Sequence, residues 1–231
     1  RSLSCRRRPR RGATASAPLA SIAAVDDLLA GGEVLSRPTD QGVTVRAIAA
    51  RPLTASVEWG TAPGAYTRTS ASVHAAAGDP FDIVLTGLAA DSDYVYRLRV
   101  APDGEPGAPQ SGAEHTFHTQ RRPGSAFTFV VQADPHLDEN SNPDVYVQAL
   151  TNALADRPDF LVDLGDTAMT DRCVISGPDS CSRERATGYE QVASRNALMR
   201  SYFARVAHSL PLFLVLGNHE GEAGWLENGS A

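Results

Sequence analysis

Three short polar groups in the second half of the chain carry side chains of the types that hold metal ions. They are Asp134-Pro135-His136, Gly165-Asp166 and Gly217-Asn218-His219-Glu220. Carboxylate, imidazole and carboxamide, with no thiolate among them, form a ligand set for borderline divalent or trivalent ions such as Zn, Mn or Fe. Taken singly, each group is an ordinary turn sequence. Each, however, directly follows an apolar run, and Gly165 and Gly217 let the backbone turn sharply so that the next side chain points into a crevice.

The apolar runs define the elements that position these groups. Residues 127–131 (FTFVV), 160–162 (FLV) and 212–216 (LFLVL) read as strands buried on both faces. Between the first two, Asn142-Pro143 opens a helix, with Asn as the cap and Pro in the first turn, and Val147, Leu150 and Leu154 fall at helical spacing. Val192, Leu198, Met199, Tyr202, Phe203 and Val206 mark a longer amphipathic helix before the third strand. Strand, helix, strand, helix, strand implies a parallel sheet with right-handed crossovers. Ligands of such sheets bind beyond the carboxyl ends of the strands, where all three polar groups lie.

The first half has a different period. Val43, Val45 and Ala47 recur at every second position, as do Ala55, Val57 and Trp59, then Phe81, Ile83 and Leu85, then Tyr94, Tyr96, Leu98 and Val100. Turn residues bound each run, which predicts an antiparallel β-sandwich over residues 33–119. Residues 120–125 (QRRPGS) have linker composition, and residues 126–231 form the parallel-sheet unit. Residues 1–32 read as a disordered leader: six arginines and no acid in the first eleven positions, then small residues, as at the cationic start of an export signal. That reading places the protein outside the cytoplasm, secreted or periplasmic.

Composition excludes several functions. All 21 basic residues are arginine, so Schiff-base chemistry, a Walker-type phosphate loop and a kinase-type lysine are ruled out. Beyond the first eleven residues, 15 arginines face 27 acids, a surface that repels a nucleic-acid backbone. No apolar run reaches the ~20 residues of a membrane-spanning helix. Cys173 and Cys181 flank a glycine- and proline-containing stretch; a local disulfide and two free thiols are both open readings, and the spacing with Cys5 fits no common zinc motif.

Asp134-x-His136, Gly165-Asp166 and Gly217-Asn218-His219-Glu220 together resemble the first three motifs of the calcineurin-like metallophosphoesterases. Residues 85–88 (LTGL) and 93–100 (DYVYRLRV) resemble the corner and strand of a fibronectin type III-like domain, with Tyr94 or Tyr96 as the corner tyrosine. Such a domain in front makes the chain most similar to the purple-acid-phosphatase branch. The resemblance implies the β-α-β-α-β start of an α/β/β/α sandwich and a pair of Fe, Mn or Zn ions. Asp134 and His136 would bind the first ion, Asp166 would bridge both, Asn218 would bind the second, and His219 would serve as transition-state donor or general acid. A metal-bridging hydroxide would attack phosphorus in line, hydrolysing a small phosphomonoester.

Two features depart from the family pattern. The purple enzymes carry a tyrosine ligand three residues after the bridging aspartate, where this chain has Met169; Asp171 lies two positions further. The family also completes its metal sites with later histidines, ending in Gly-His-x-His, whereas the sequence stops twelve residues after His219. Structural roles are expected for His74, His115, His118 and His208, so the sequence is expected to be the front part of a longer enzyme, weakly active alone. Residues 167–188 are long for a connection and should overhang the site. Arg172, Arg183 and Arg185 there are candidates to meet substrate phosphate, with solvated loop arginines as the competing reading. Asp138, Glu139 and Asn140 read as surface loop, and Glu220 and Glu222 as orienting the third motif or facing solvent. Competing functions are a noncatalytic extracellular binding or adhesion protein with a degenerate metal domain, and a phosphodiesterase of the same superfamily.

Overall fold

A computed structural model describes residues 25–105, 107–138, 140–167, 169, 174–175, 181–182 and 189–220, with 174–175 and 181–182 described as backbone only. The alternating runs of the first half form two antiparallel sheets. One contains β1 (Val34–Ser36), β2 (Gly42–Ile48) and β6 (Pro80–Thr86) in the order β1-β2-β6. The other is centred on β3 (Leu53–Gly60) and β7 (Asp93–Pro102). The short strands β4 (Arg68–Thr69) and β5 (Val73–Ala75) pair with β3, and β8 (Gln110–Ser111) and β9 (His115–His118) pair with β7. Period two turns every second side chain inward. Val45, Ala47 and Leu85 from one sheet and Leu53, Val57, Leu98 and Val100 from the other are completely buried in a shared core.

The corner tyrosine is Tyr94: its hydroxyl accepts the Ala89 N–H at 2.8 Å. Tyr96 is fully buried, and its hydroxyl donates to the His208 carbonyl at 2.6 Å. The expected leader does not run as far as residue 32. Val25, Leu28 and Leu29 belong to the sandwich core, and Leu29 bridges to Ala49, so the apolar spacing of 25, 28 and 29 outweighs the small-residue composition before it. Residues 1–24 lie outside the described residues.

The second half builds a parallel sheet in the order β10-β11-β14, from β10 (Phe129–Gln132), β11 (Phe160–Asp163) and β14 (Leu212–Leu214). α1 (Pro143–Ala155) joins the first two strands, capped by Asn142, whose side-chain oxygen accepts the Asp144 N–H at 3.0 Å. A two-residue antiparallel pair, β12 (Val174–Ile175) and β13 (Cys181–Ser182), precedes α2 (Tyr189–Ala207), which leads into β14. Val130, Leu161 and Leu212 pack with Tyr146, Leu150 and Val206 of the helices.

Among the described residues, the helices cover one face of this sheet. On the side away from the helices, Phe129, Val131 and Phe213 are 47%, 51% and 45% exposed. Phe129 and Phe160 stack at 5.2 Å across the open face, and Phe213 meets Phe160 edge-on at 5.4 Å.

The other side of α2 ties the two halves together. Met199, Phe203 and Ala207 pack against Val34 of β1, and Arg200 donates to the carbonyls of Gly32 (3.1 Å) and Arg46 (3.0 Å). Beside them the His115 and His208 rings stack at 4.0 Å, and His115 Nε2 lies 3.1 Å from Glu33 Oε1.

Candidate metal centre

The ends of β10, β11 and β14 meet at one rim. Beyond the sheet the ladder continues through the loops: the Asp134 N–H donates to the Gly165 carbonyl and the His136 N–H to the Asp166 carbonyl, each at 3.0 Å. Asp134, His136 and Asp166 all have left-handed backbones, with φ of 56°, 43° and 56°. They make up half of the six non-glycine residues in that region among the described residues. Each such residue costs ~1–3 kcal/mol and persists only where its surroundings over-determine it, which is typical of working sites.

The two glycines do different jobs. Gly165 has φ 89°, which a side chain would strain. Gly217 has no positive φ; a Cβ there would strike the Asp166 carboxylate, and one on Gly165 would strike the Gly217 backbone. Glycine at both positions lets the β11 and β14 loops touch.

That approach gathers the ligand-type side chains. His136 Nε2 lies 3.4 Å from Asp134 Oδ1 and 3.7 Å from Asp166 Oδ2. A ligand atom from each of His136, Asp166 and His219 falls within 4.8 Å of the others. The His136 and His219 rings meet edge-on at 5.4 Å. Asp166 Oδ1 accepts the His219 N–H at 3.0 Å, which leaves Oδ2 on the side of His136. Asn218 is exposed and sits between two residues that both abut Asp166.

These residues suit a cation. His136 Nε2 is shielded from solvent, yet neither nearby carboxylate meets it in hydrogen-bond geometry. A shielded imidazole nitrogen between two carboxylates, with a second imidazole alongside, is a ligand set that suits a borderline metal.

The supports of the rim were less visible in the sequence. Glu220 is buried, and its carboxylate accepts the N–H groups of Asp166 (2.8 Å), Thr167 (2.6 Å) and Gly217 (2.7 Å), so it orients the motif and does not face solvent. Asp163, at the end of β11, is also completely buried; burial pushes its carboxyl up, and hydrogen bonds from Gln132, the Gly165 N–H and Thr167 pull against that. Asp138 is not a surface residue. It is 3% exposed, and its Oδ1 accepts the Asn140 N–H at 2.8 Å, closing the turn after His136. A carboxylate or carboxamide closing an apolar run, as in 129–132 (FVVQ) and 160–163 (FLVD), was the signal for Gln132 and Asp163.

Met169 is fully buried. Arg172, Arg183, Arg185, Asp171, Glu139, Glu222, Trp225, Cys5 and Cys173 lie outside the described residues, and the side chain of Cys181 is not described. The other histidines hold structural contacts. His74 pairs with Asp103, His118 reaches Asp91 and Asp93 through its two ring nitrogens, and His115 and His208 meet at the seam.

The model of the calcineurin-like phosphoesterase family matches residues 127–230, which span the whole rim. Those residues belong to the calcineurin-like phosphoesterases. Among solved structures the fold resembles that of PhoD, with a TM-score of 0.63 and 15% identity, over 84% of this chain and 40% of that one. It also resembles purple acid phosphatase PPD1 from yellow lupin (Lupinus luteus) seeds, with a TM-score of 0.61 and 16% identity, over 86% of this chain and 38% of that one. The chain thus spans about two fifths of the length of these two structures. No curated protein matches the sequence. Both likenesses extend over the sandwich as well as the phosphoesterase domain, as an antiparallel front and a parallel-sheet back require.

Proposed function

We propose that the rim holds two divalent or trivalent metal ions and that the protein hydrolyses a small phosphoric monoester. Asp134 and His136 would hold the first ion, Asn218 the second, and Asp166 both. The observation that carries this reading is the shielded, unpartnered His136 Nε2 between Asp134 and Asp166, inside a phosphoesterase domain. When bound, such ions neutralise phosphoryl oxygens and ready a water for in-line attack. The chain supplies the rest. Asp166 turns one oxygen toward His136 while the His219 N–H fixes the other. His219, buried beside Asp166, donates a proton or hydrogen bond to the phosphate oxygen that gains charge.

Residues 33–119 act in this reading as a fibronectin type III-like module, supported by the Tyr94 corner and the β1-β2-β6 sheet facing the one built on β3 and β7. The acidic balance beyond the first eleven residues favours a small ester over a nucleic-acid backbone. The arginine-rich start supports export, and among the described residues no helix is long and apolar enough to cross a membrane.

Calorimetric titration with Mn2+ or Zn2+, paired with hydrolysis of aryl phosphate mono- and diesters, tests the proposal. Asp166→Asn is expected to weaken metal binding by at least tenfold and to abolish metal-dependent monoester hydrolysis. Undiminished metal binding and activity in an Asp166→Asn, His219→Ala double variant would overturn it. Faster turnover of the diester would move the substrate class instead.

A further inference from the structure

The turn that presents Asp166 is held by carboxylates on two sides. Gly165 and Asp166 are consecutive left-handed residues, with φ of 89° and 56°. The N–H groups of Gly165, Asp166 and Thr167 in this turn all donate to carboxylates. Glu220 supplies one anion, taking the N–H groups of Asp166 and Thr167. Asp163 takes the remaining donors from beneath: its Oδ1 accepts the Gly165 N–H at 2.9 Å and faces the Thr167 hydroxyl at 3.3 Å. Its Oδ2 accepts from Gln132 Nε2 at 2.5 Å, and the same Nε2 lies 2.9 Å from the Tyr146 hydroxyl. Through Gln132 and Tyr146, β10 and α1 bear on the turn at the end of β11.

We infer that Asp163 is a positioning residue for Asp166, an acceptor-only group whose three donors fix the turn so that the Asp166 carboxylate points at His136. A buried carboxylate in an otherwise apolar core is costly, and burial alone gives no reason for one here. Its three donors give that reason: an apolar residue at this position would leave the Gly165 N–H unpaired and take an acceptor from the Thr167 hydroxyl and the Gln132 amide. Asparagine keeps one acceptor oxygen, and the Gln132 amide can reverse to accept from the new N–H2, so Asp163→Asn preserves more of the network than Asp163→Ala. The inference rests on the metal reading of Asp166 for its functional meaning, while the geometric claim stands on the contacts alone.

Two measurements on the full chain separate these claims. The first is hydrogen exchange at the His219 amide without metal, since that N–H reports where the Asp166 carboxylate lies. The second is Mn2+ affinity. Asp163→Ala is expected to speed His219 exchange at least tenfold and to weaken Mn2+ binding at least tenfold, while the amides of Phe203 and Val206 in α2 keep their protection. Asp163→Asn should fall between Ala and the parent on both readouts, and it carries the test if the Ala variant does not fold. Unchanged His219 exchange and Mn2+ affinity in a folded variant would overturn the inference. So would a general loss of protection in α2 that matches the loss at His219. If the parent binds no Mn2+ and the His219 effect is still seen, the metal reading fails and the positioning role stands.

Discussion

Among the described residues, the sandwich and the phosphoesterase sheet differ in how their apolar surface is covered. In the sandwich each sheet covers the other, and Val45, Leu53, Val57, Leu98 and Val100 have no exposed surface. In the parallel sheet both helices lie on one side, and the opposite side displays Phe127, Phe129, Val131, Phe213 and Val215 at 45–59% exposure. The sandwich therefore draws its order from burial. At the rim of the parallel sheet the loops are held by hydrogen bonds to Glu220 and Asp163. Order at a site need not come from the depth of the core beneath it. Here it comes from two buried carboxylates and two glycines.

Truncating one side chain on each surface gives the largest contrast. Leu98→Ala opens a cavity among fully buried neighbours and should destabilise by ~3 kcal/mol, within the usual span for such changes. Phe129→Ala removes a ring that is already half in solvent and should cost less than about 1.5 kcal/mol, mostly its stacking on Phe160. Urea unfolding of both variants checks this. Equal losses would mean that the open face is covered in solution. A Phe129→Thr, Phe213→Thr pair should also reduce binding of a hydrophobic dye, because a contiguous exposed apolar patch is what such dyes recognise.

The contrast also explains what the sequence shows. Alternation in Val43–Ala47 and Tyr94–Val100 reports one-sided burial directly, so the sandwich strands are legible. The metal-type residues are legible because each directly follows an apolar run. A continuous run such as 127–131 says that a strand is apolar but not which layers cover it, and the described residues supply the layer on one side. Asp138 and Glu220 were hard to place because a carboxylate in a loop looks solvated until its backbone N–H partners are known. The core role of Val25, Leu28 and Leu29 was hidden by a small-residue stretch that dominates local composition.

Where the two regions meet, the contrast turns into pH dependence. Burial, aided by the neighbouring His115, pulls His208 down to about 4 from its ordinary 6.5, with Glu33 opposing. Between those values the unfolded chain binds more protons than the folded one, so stability falls as pH drops from about 6.5 to about 4. Glu33 acts in the same direction. Burial alone would raise it, but its hydrogen bond and charge contact with His115 hold it below 4.5, so its contribution drains as pH falls through that lowered value. His208→Gln keeps the backbone carbonyl that Tyr96 uses and removes the titration. It should flatten the dependence of the urea midpoint on pH between about 4 and 6.5. An unchanged slope would place the acid sensitivity elsewhere.

The smallest effects test whether the two regions unfold as one. Tyr94→Phe leaves the Ala89 N–H without its acceptor and should cost ~1 kcal/mol in the sandwich. Asn142→Ala removes the cap of α1 and should cost about the same in the sheet. α2 belongs to both regions: Met199 and Phe203 pack on Val34, while Val206 packs with Leu161. A shared helix with buried contacts on two sides cannot leave one core without exposing the other. Both substitutions should therefore shift the helical circular-dichroism transition and the exchange protection of β3 and β7 amides by the same amount. If Asn142→Ala moves the helical signal alone, the seam is a contact between independent units, and the pH effect at His208 should then appear as domain separation rather than unfolding.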